Sequence, residues 1–448
     1  MMNPELRRNL WLEITTHRLL AMPVVLGLAF LVLAAIDQPN AVEHVSWLGL
    51  GGFGVLTVLW GSRLAGNSII DEIADKTWDW QRLSTLSPWT MTWGKLFGAT
   101  AFAWYGGLIC VGVFLVTAST TKIPSPLPFG LSLVLLAIML HAATIAAALH
   151  TARISSTANR RSIGLLPVLM LIYIAPLAMA MASGAESNMV ANWYWTNFDG
   201  LNFLLMSSAL FAAWAVIGAY RAMCQSLAVR TTPWVWVLFL LFVSAYSAGF
   251  AINSLEKNNT VTPLAALSLA GLGWGLIFTY VMLFTAPTGP VVLRRVAQKI
   301  KLKQWTRAWQ EVPCWPVTWL FAALCALVLA CNGVSSGNPA WRDLALTPIP
   351  SVLLAARDAG IFLFFAAAVS PKRVVGTTIV YMLLLDWILP GLLRSFGLTQ
   401  FAELVFPFGQ GNSWALIASA LLQAIVAGWF AYRRVQVNFS SYRRADGV

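Results

Sequence analysis

Three ionisable side chains lie inside long apolar runs: Arg357 and Asp358 in SVLLAARDAGIFLFF, and Asp386 in YMLLLDWILPGLL. Charge at such a place is expensive, so these groups are expected to pair, to carry protons or to line a path. At about 1.5 Å per helical residue, Arg357 lies about 10 Å from the outer end of its run and Asp386 about 12 Å from the same end of the next. Consecutive antiparallel helices would bring them together as an ion pair. Its role is either a part in transport through a polar cavity or a lock between two helices. On pairing alone, Asp386→Asn should strand Arg357 and destabilise the chain more than Arg357→Gln with Asp386→Asn together. His141, in IMLHAATIAAALH, reads as a donor between helices more readily than as a ligand.

A second polar concentration is the passage 71–96, DEIADKTWDWQRLSTLSPWTMTWGKL, with four acids, three bases and four tryptophans. SRLAGNSIIDEIADKTWDWQRLS is expected to run as one helix. Ile69, Ile70, Ile73, Thr77, Trp80 and Leu83 keep to one broad face of it, and Asp71, Glu72, Asp75, Asp79 and Arg82 occupy the others. Glu72 precedes Lys76 by four residues, the order that supports a helix. Ser87-Pro88 ends it, and a helix re-enters near Trp93-Gly94-Lys95. The product is a short amphipathic element with acids and Arg82 on its surface, suited to a soluble partner's cleft or to a solvated interface.

These residues must be positioned by a membrane scaffold. The chain has 448 residues, 58% hydrophobic and only 10% charged, with a mean hydropathy of +0.72. Soluble domains carry about 25% charged residues, so the fold class is an all-α integral membrane protein. About twelve apolar spans are expected, at 19–36, 46–64, 95–118, 128–149, 163–183, 200–221, 234–254, 264–286, 316–333, 350–370, 374–394 and 413–432. The net charge of +12 does not indicate nucleic acid, because the bases sit in short loops at alternate span ends. Those loops hold Arg7 and Arg8, Arg153, Arg160 and Arg161, Arg221 and Arg230, Arg294 to Arg307, Lys372 and Arg373, and Arg433 to Arg444. Under the positive-inside rule both termini are cytoplasmic. Five scattered cysteines, with no CxxC pair and no metal-ligand spacing to the four histidines, suggest neither a disulfide framework nor a metal site. No cleavable signal is expected.

Before the first span, Pro4 starts a helix in which Leu6, Leu10 and Ile14 recur every four residues, with Trp11 beside them. Glu5, Arg7, Arg8 and Glu13 fall elsewhere on the wheel, which describes an amphipathic helix in the membrane interface. Long cytoplasmic loops after spans 2 and 8 each lead into a Pro-Trp passage, SPWTMTW and PCWPVTW. They suggest a 6+6 layout, with one six-span unit over 1–230 and a second, diverged one over 231–448.

The order of an acid-bearing helix, Lys76-Thr77, Leu83, Leu86-Ser87-Pro88, Gly94-Lys95 and then a span resembles type-2 ATP-binding-cassette (ABC) export permeases. The helix before span 1 is similar to that family's connecting helix. The likeness covers the layout of residues 4–230, with residue-level support in about 25 positions; twelve spans exceed the usual six. What it implies is a permease subunit whose coupling segment, 65–94, meets an ATPase through Asp71, Glu72, Asp75, Lys76, Trp78, Arg82, Pro88, Gly94 and Lys95. No GxxxxGK[ST] loop occurs, so a separate ATPase subunit, in two copies, would hold ATP and Mg, and no cofactor is bound by this chain. A homodimer or further membrane subunits would fit the same reading, as would the inner cell membrane. Three alternatives stay open: an ion-coupled secondary transporter, a scaffold anchoring an ATPase, and a membrane enzyme. The last lacks a paired motif, since Glu186, Asp199, Glu256, Asp343 and Glu403 are scattered over the outer loops.

Overall fold

A computed structural model describes residues 3–36, 40–118, 126–154, 190–256, 262–285, 290–335, 345–367, 373–407 and 413–445. Among them, eleven helices are long and apolar enough to cross a membrane. They are α2 (Thr16–Ile36), α3 (Ala41–Ala74), α6 (Ala101–Ala118), α7 (Pro126–Ile154), α8 (Gly200–Ser226), α9 (Trp234–Glu256), α10 (Pro263–Thr285), α13 (Cys314–Ser335), α14 (Pro348–Ala366), α15 (Val374–Ser395) and α17 (Ser413–Ala445). Shorter helices fill the connections: α1 (Pro4–Glu13), α4 (Trp78–Arg82), α5 (Pro88–Trp93), α11 (Pro290–Lys301), α12 (Trp305–Glu311) and α16 (Thr399–Val405). The expected span at 163–183, with Pro176, lies outside the described residues, as do Arg160, Arg161, Glu186, Asp343 and Lys372.

Leu20, Val24, Val25, Leu28, Leu31 and Val32 of α2 are all exposed, and such residues recur on the other long helices. Water would not tolerate so much contiguous apolar surface, whereas lipid requires it. A helix satisfies most of a span's backbone groups within the segment itself, the condition for crossing hydrocarbon. The chain is a multi-pass helical membrane protein. It divides into two compact units, Met1–Ala191 with Asn197–Thr231, and Thr232–Val448 with Asn192–Thr196.

In the first unit, α3 and α6 approach closely at glycines. A Cβ on Gly49 would lie 2.9 Å from the Cys110 carbonyl oxygen, and one on Gly107 would overlap the Thr57 hydroxyl. The middle of α3 widens into a π segment, Gly54–Gly61. There the Thr57 carbonyl lies 2.8 Å from Nε2 of His141 on α7, and the Thr57 hydroxyl donates to the Ala103 carbonyl at 3.3 Å. A carbonyl can only accept, so Nε2 carries the proton. His141 is fully buried and faces Gly61, where a Cβ would lie 2.6 Å from Nε2. It cross-links two spans.

In the second unit, Gly275 meets Ala322 between α10 and α13, and Gly360 meets the backbone at Ala427 and Gly428 between α14 and α17. A two-stranded hairpin, β1 (Val190–Trp193) and β2 (Thr196–Asp199), forms within ANWYWTNFDG. Its tip rests on α9, where Trp193 Nε1 donates to the Tyr246 carbonyl at 2.9 Å beside Gly249. Burial raises the Tyr194 hydroxyl above its ordinary value, and that hydroxyl donates to the Ala245 carbonyl at 2.7 Å.

Because Gly107 sits against Thr57 and Phe53 while Gly112 of the same helix has no neighbour within 4 Å, their alanine variants should separate. Gly107→Ala is expected to cost about 1–3 kcal/mol through overpacking. Gly112→Ala should be neutral or stabilising by up to about 1 kcal/mol, as read from unfolding of the purified protein in detergent.

Candidate functional site

The helix expected across 62–84 is broken. It ends at Ala74, Lys76 takes the left-handed conformation (φ 59°), and α4 starts anew at Trp78. The Lys76 N–H bonds to the Ile73 carbonyl at 3.1 Å and the Thr77 N–H to the Glu72 carbonyl at 2.9 Å, a Schellman closure of the helix end. The break rotates everything after it. Trp80 and Leu83, expected on the apolar face, are 77% and 79% exposed, and Thr77 is exposed too. Trp78 takes the buried place, among Ile69, Ile70, Met91 and Leu96. Lys76 no longer extends the helix that would pair it with Glu72.

Glu72 instead turns inward to Lys95. The first turn after α5 is a π segment, Gly94–Gly98, that carries Lys95 into the interior, where it is 1% exposed. Its ammonium bonds to Glu72 Oε2, lies 3.3 Å from Glu5 Oε1 and donates to the Ser68 carbonyl at 3.4 Å. The Trp78 ring centroid is 6.0 Å away. Gln81 Nε2 donates to Glu72 Oε1 at 2.6 Å, and Arg8 Nη1 reaches Glu5 at 3.3 Å and Glu72 at 3.4 Å. Two acids and two bases from three separate segments therefore meet around one buried ammonium. Removing such a charge from water costs several kcal/mol, which the second carboxylate and the carbonyl offset.

The N-terminal helix α1 supplies the unexpected partner. Glu5 and Asn9, one turn apart, are its buried face, while Trp11 is 80% exposed. Asn9 Nδ2 donates to the Gly94 carbonyl at 3.1 Å and to Glu5 Oε1 at 3.3 Å. A Cβ on Gly94 would overlap the Glu5 side chain, and one on Gly98 would lie 2.8 Å from Asn9 Cβ. Gly94 and Gly98, four apart, thus form the groove that seats Glu5 and Asn9, also four apart. Asn3 caps α1, accepting from Glu5 N–H at 3.0 Å, and its own amide donates to the Thr90 carbonyl at 2.8 Å. Glu5, expected off the apolar face, is instead buried with Asn9, and the matching glycine spacing is the signal that points both inward.

Several other residues of the segment face outward. Asp71 is half-buried on α3, Asp75 and Arg82 are exposed, and Arg82 pairs with Asp79 at 3.5 Å. Pro88 occupies the first turn of α5, whose cap Ser87 accepts from Thr90 N–H at 3.1 Å. One surface therefore presents Asp75, Asp79, Trp80, Arg82 and Leu83 outward, directly over a buried charge knot.

The second unit has a turn of the same local form. Lys303 is left-handed (φ 56°) between α11 and α12, and the Lys299 carbonyl accepts from Gln304 N–H at 2.9 Å. Aligned on that turn, Lys299 stands where Glu72 does and Trp305 where Trp78 does. Lys299 pairs with Glu311, a charge-reversed counterpart. It is far more exposed than the Lys95 knot, and Trp305 is exposed, so the pair contributes at most about 1 kcal/mol.

Arg357, Asp358 and Asp386 also meet. Arg357 Nη2 donates to Asp386 Oδ1 at 2.6 Å and to Asp358 Oδ1 at 2.7 Å, and Nε donates to Asp358 Oδ1 at 2.9 Å. Two neutral partners went unread in the sequence: Gln423 Oε1 accepts from Arg357 Nη1 at 2.9 Å, and the Tyr280 hydroxyl donates to Asp358 Oδ2 at 2.7 Å. Because Asp358 already compensates Arg357, replacing Asp386 alone strands no cation, and the stability order expected from a simple pair does not follow. Among the described residues no group of three or more His, Cys, Asp or Glu side chains is placed to hold a metal. The fold and both charge clusters define a multi-pass helical membrane protein with one polar site at its N-terminal helix and another within its spans. No protein-family model, curated protein or solved structure matches the chain.

Lys95→Met, which leaves Glu5 and Glu72 sharing only Arg8, is expected to lower stability by about 3 kcal/mol. Adding Glu5→Gln and Glu72→Gln should recover most of that loss, since no buried charge is then unpaired. Thermal unfolding of the parent and the two variants in detergent checks the order.

Proposed function

We propose that the chain is the transmembrane permease subunit of an ABC-type exporter, coupled through residues 71–95 to a separate ATPase. The observation that supports this reading is the two-sided construction of that segment. Its outer side offers Trp80 and Leu83 rimmed by Asp75, Asp79 and Arg82, the mix of apolar anchor and charged rim that suits a partner's cleft. Its inner side is tied by Glu72 and Lys95 to α1 and to the start of α6. A push on the outer side is therefore delivered to an interfacial helix and a span together. Coupling of this type requires a partner that binds two membrane states with different affinity.

In this reading both termini and the segment are cytoplasmic, two copies of the ATPase bind ATP and Mg, and this chain performs no hydrolysis itself. The turn at Lys303 would be the second unit's diverged equivalent, and the protein would lie in the inner cell membrane. The charge cluster of the second unit favours one other reading, an ion-coupled transporter, in which no ATPase is needed.

Mild-detergent purification of the tagged chain from its native membrane discriminates the two. A soluble subunit carrying a GxxxxGK[ST] loop is expected in stoichiometric amount, and it should be lost from a Trp80→Ala, Leu83→Ser variant that melts like the parent. Recovery of a folded, monodisperse chain without any such subunit contradicts the proposal, as does equal recovery with the variant.

A further inference from the structure

The two charge clusters differ in one respect that matters at membrane depth. Around Lys95, Glu5 and Glu72 are matched by Lys95 and Arg8. Around Arg357, two carboxylates face a single guanidinium. The groups that face this cluster can be named element by element. Helix α14 gives Arg357 and Asp358, α15 gives Asp386, α10 gives the Tyr280 hydroxyl, and α17 gives only the neutral Gln423. Helix α13, also packed on α14, contributes no titratable contact to the cluster among the described residues. With both acids ionised the cluster carries one net negative charge in a span, where an unpaired charge is poorly tolerated.

The hydrogen bonds show which carboxyl is over-supplied and which is open. Asp358 Oδ1 accepts from Arg357 Nε and Nη2, and Oδ2 accepts from Tyr280, so both of its oxygens face donors. Asp386 accepts through Oδ1 alone; its Oδ2 has no partner among the described residues. Gln423 cannot supply one, because its amide donates to the carbonyls of Leu404 and Val405 at 3.0 and 3.1 Å. The Asp386 side chain keeps 14% of its surface accessible, against 2% for Asp358. Its backbone is also distinctive. Pro390 has no N–H to donate to the Asp386 carbonyl four residues back, and the helix widens there into a π turn, Leu384–Ile388.

We propose that the Arg357–Asp358–Asp386 cluster is a proton-binding site, with the proton carried on Asp386 Oδ2. Hydronium transfers one proton to the open oxygen and leaves as water; the Arg357 bond to Oδ1 is kept, and no other bond is made or broken. The cluster is then neutral. Release of the proton restores the net negative charge and alters the attraction between α14 and α15. The inference does not depend on the exporter reading, since a proton site can serve a partner-driven or an ion-driven carrier.

Infrared difference spectra of the full chain in lipid, stepped from neutral to alkaline pH, test it. The parent is expected to show the carbonyl stretch of a protonated carboxylic acid at neutral pH and to lose it reversibly on alkalinisation. Asp386→Asn should lack the band because the acid is gone. Asp358→Asn should lack it because Asp386 is then matched by Arg357 and ionises. The second variant and the parent titration decide the matter even if the first does not fold. A parent without the band at neutral pH, or a band that survives in both variants, overturns the proposal. So does a band-free parent whose unfolding temperature rises with sodium, which would assign the excess charge to a metal cation.

Discussion

The buried ammonium of Lys95 is the constraint around which the first unit is arranged. A lysine taken out of water needs carboxylate and carbonyl partners close by, and this one draws Glu72 from the end of a span and Glu5 from the N-terminal helix. Meeting that demand fixes several other choices. Glycine is required at 94 and 98 so that α1 can approach, and the helix from 62 must stop before it would carry Trp78 away from the ammonium. Asn3, Asn9 and Gln81 then satisfy the polar groups left over. The outward residues of the segment, freed from packing duties, are the ones available to a partner.

The second unit solves a related problem with different arithmetic. Arg357 also gathers partners from separate helices, but its surroundings hold one acid more than they hold bases. Neutral donors and acceptors, Tyr280 and Gln423, complete the geometry without correcting the charge. The contrast between a balanced knot at the N-terminal helix and an unbalanced one inside the spans separates a mechanical tie from a site suited to a proton.

Much of this was legible in the sequence, for identifiable reasons. Runs of about 20 apolar residues leave the backbone few alternatives to spanning helices, which is why eleven expected spans coincide with eleven helices. Arg357 and Asp386 could be paired because depth along consecutive spans is simple arithmetic. The register of the polar segment was not legible. Its break relies on a left-handed lysine, with no glycine or asparagine to announce it, so the periodic face was carried past Ala74 to the wrong tryptophan. Glu5 and Asn9 were hidden because a polar pair on a helix wheel ordinarily faces water. Tyr280 and Gln423 were hidden because neutral side chains far apart in the chain carry no spacing signal.

Helix α1 and the segment 71–95 form one mechanical body held by Lys95. Hydrogen exchange of the α1 amides in Glu72→Gln tests this, because the substituted residue is remote from α1 in sequence. Amides of residues 5–13 are expected to lose protection together with those of 78–93, while α2 keeps its own. Unchanged protection of α1, with loss confined to 78–93, would contradict it.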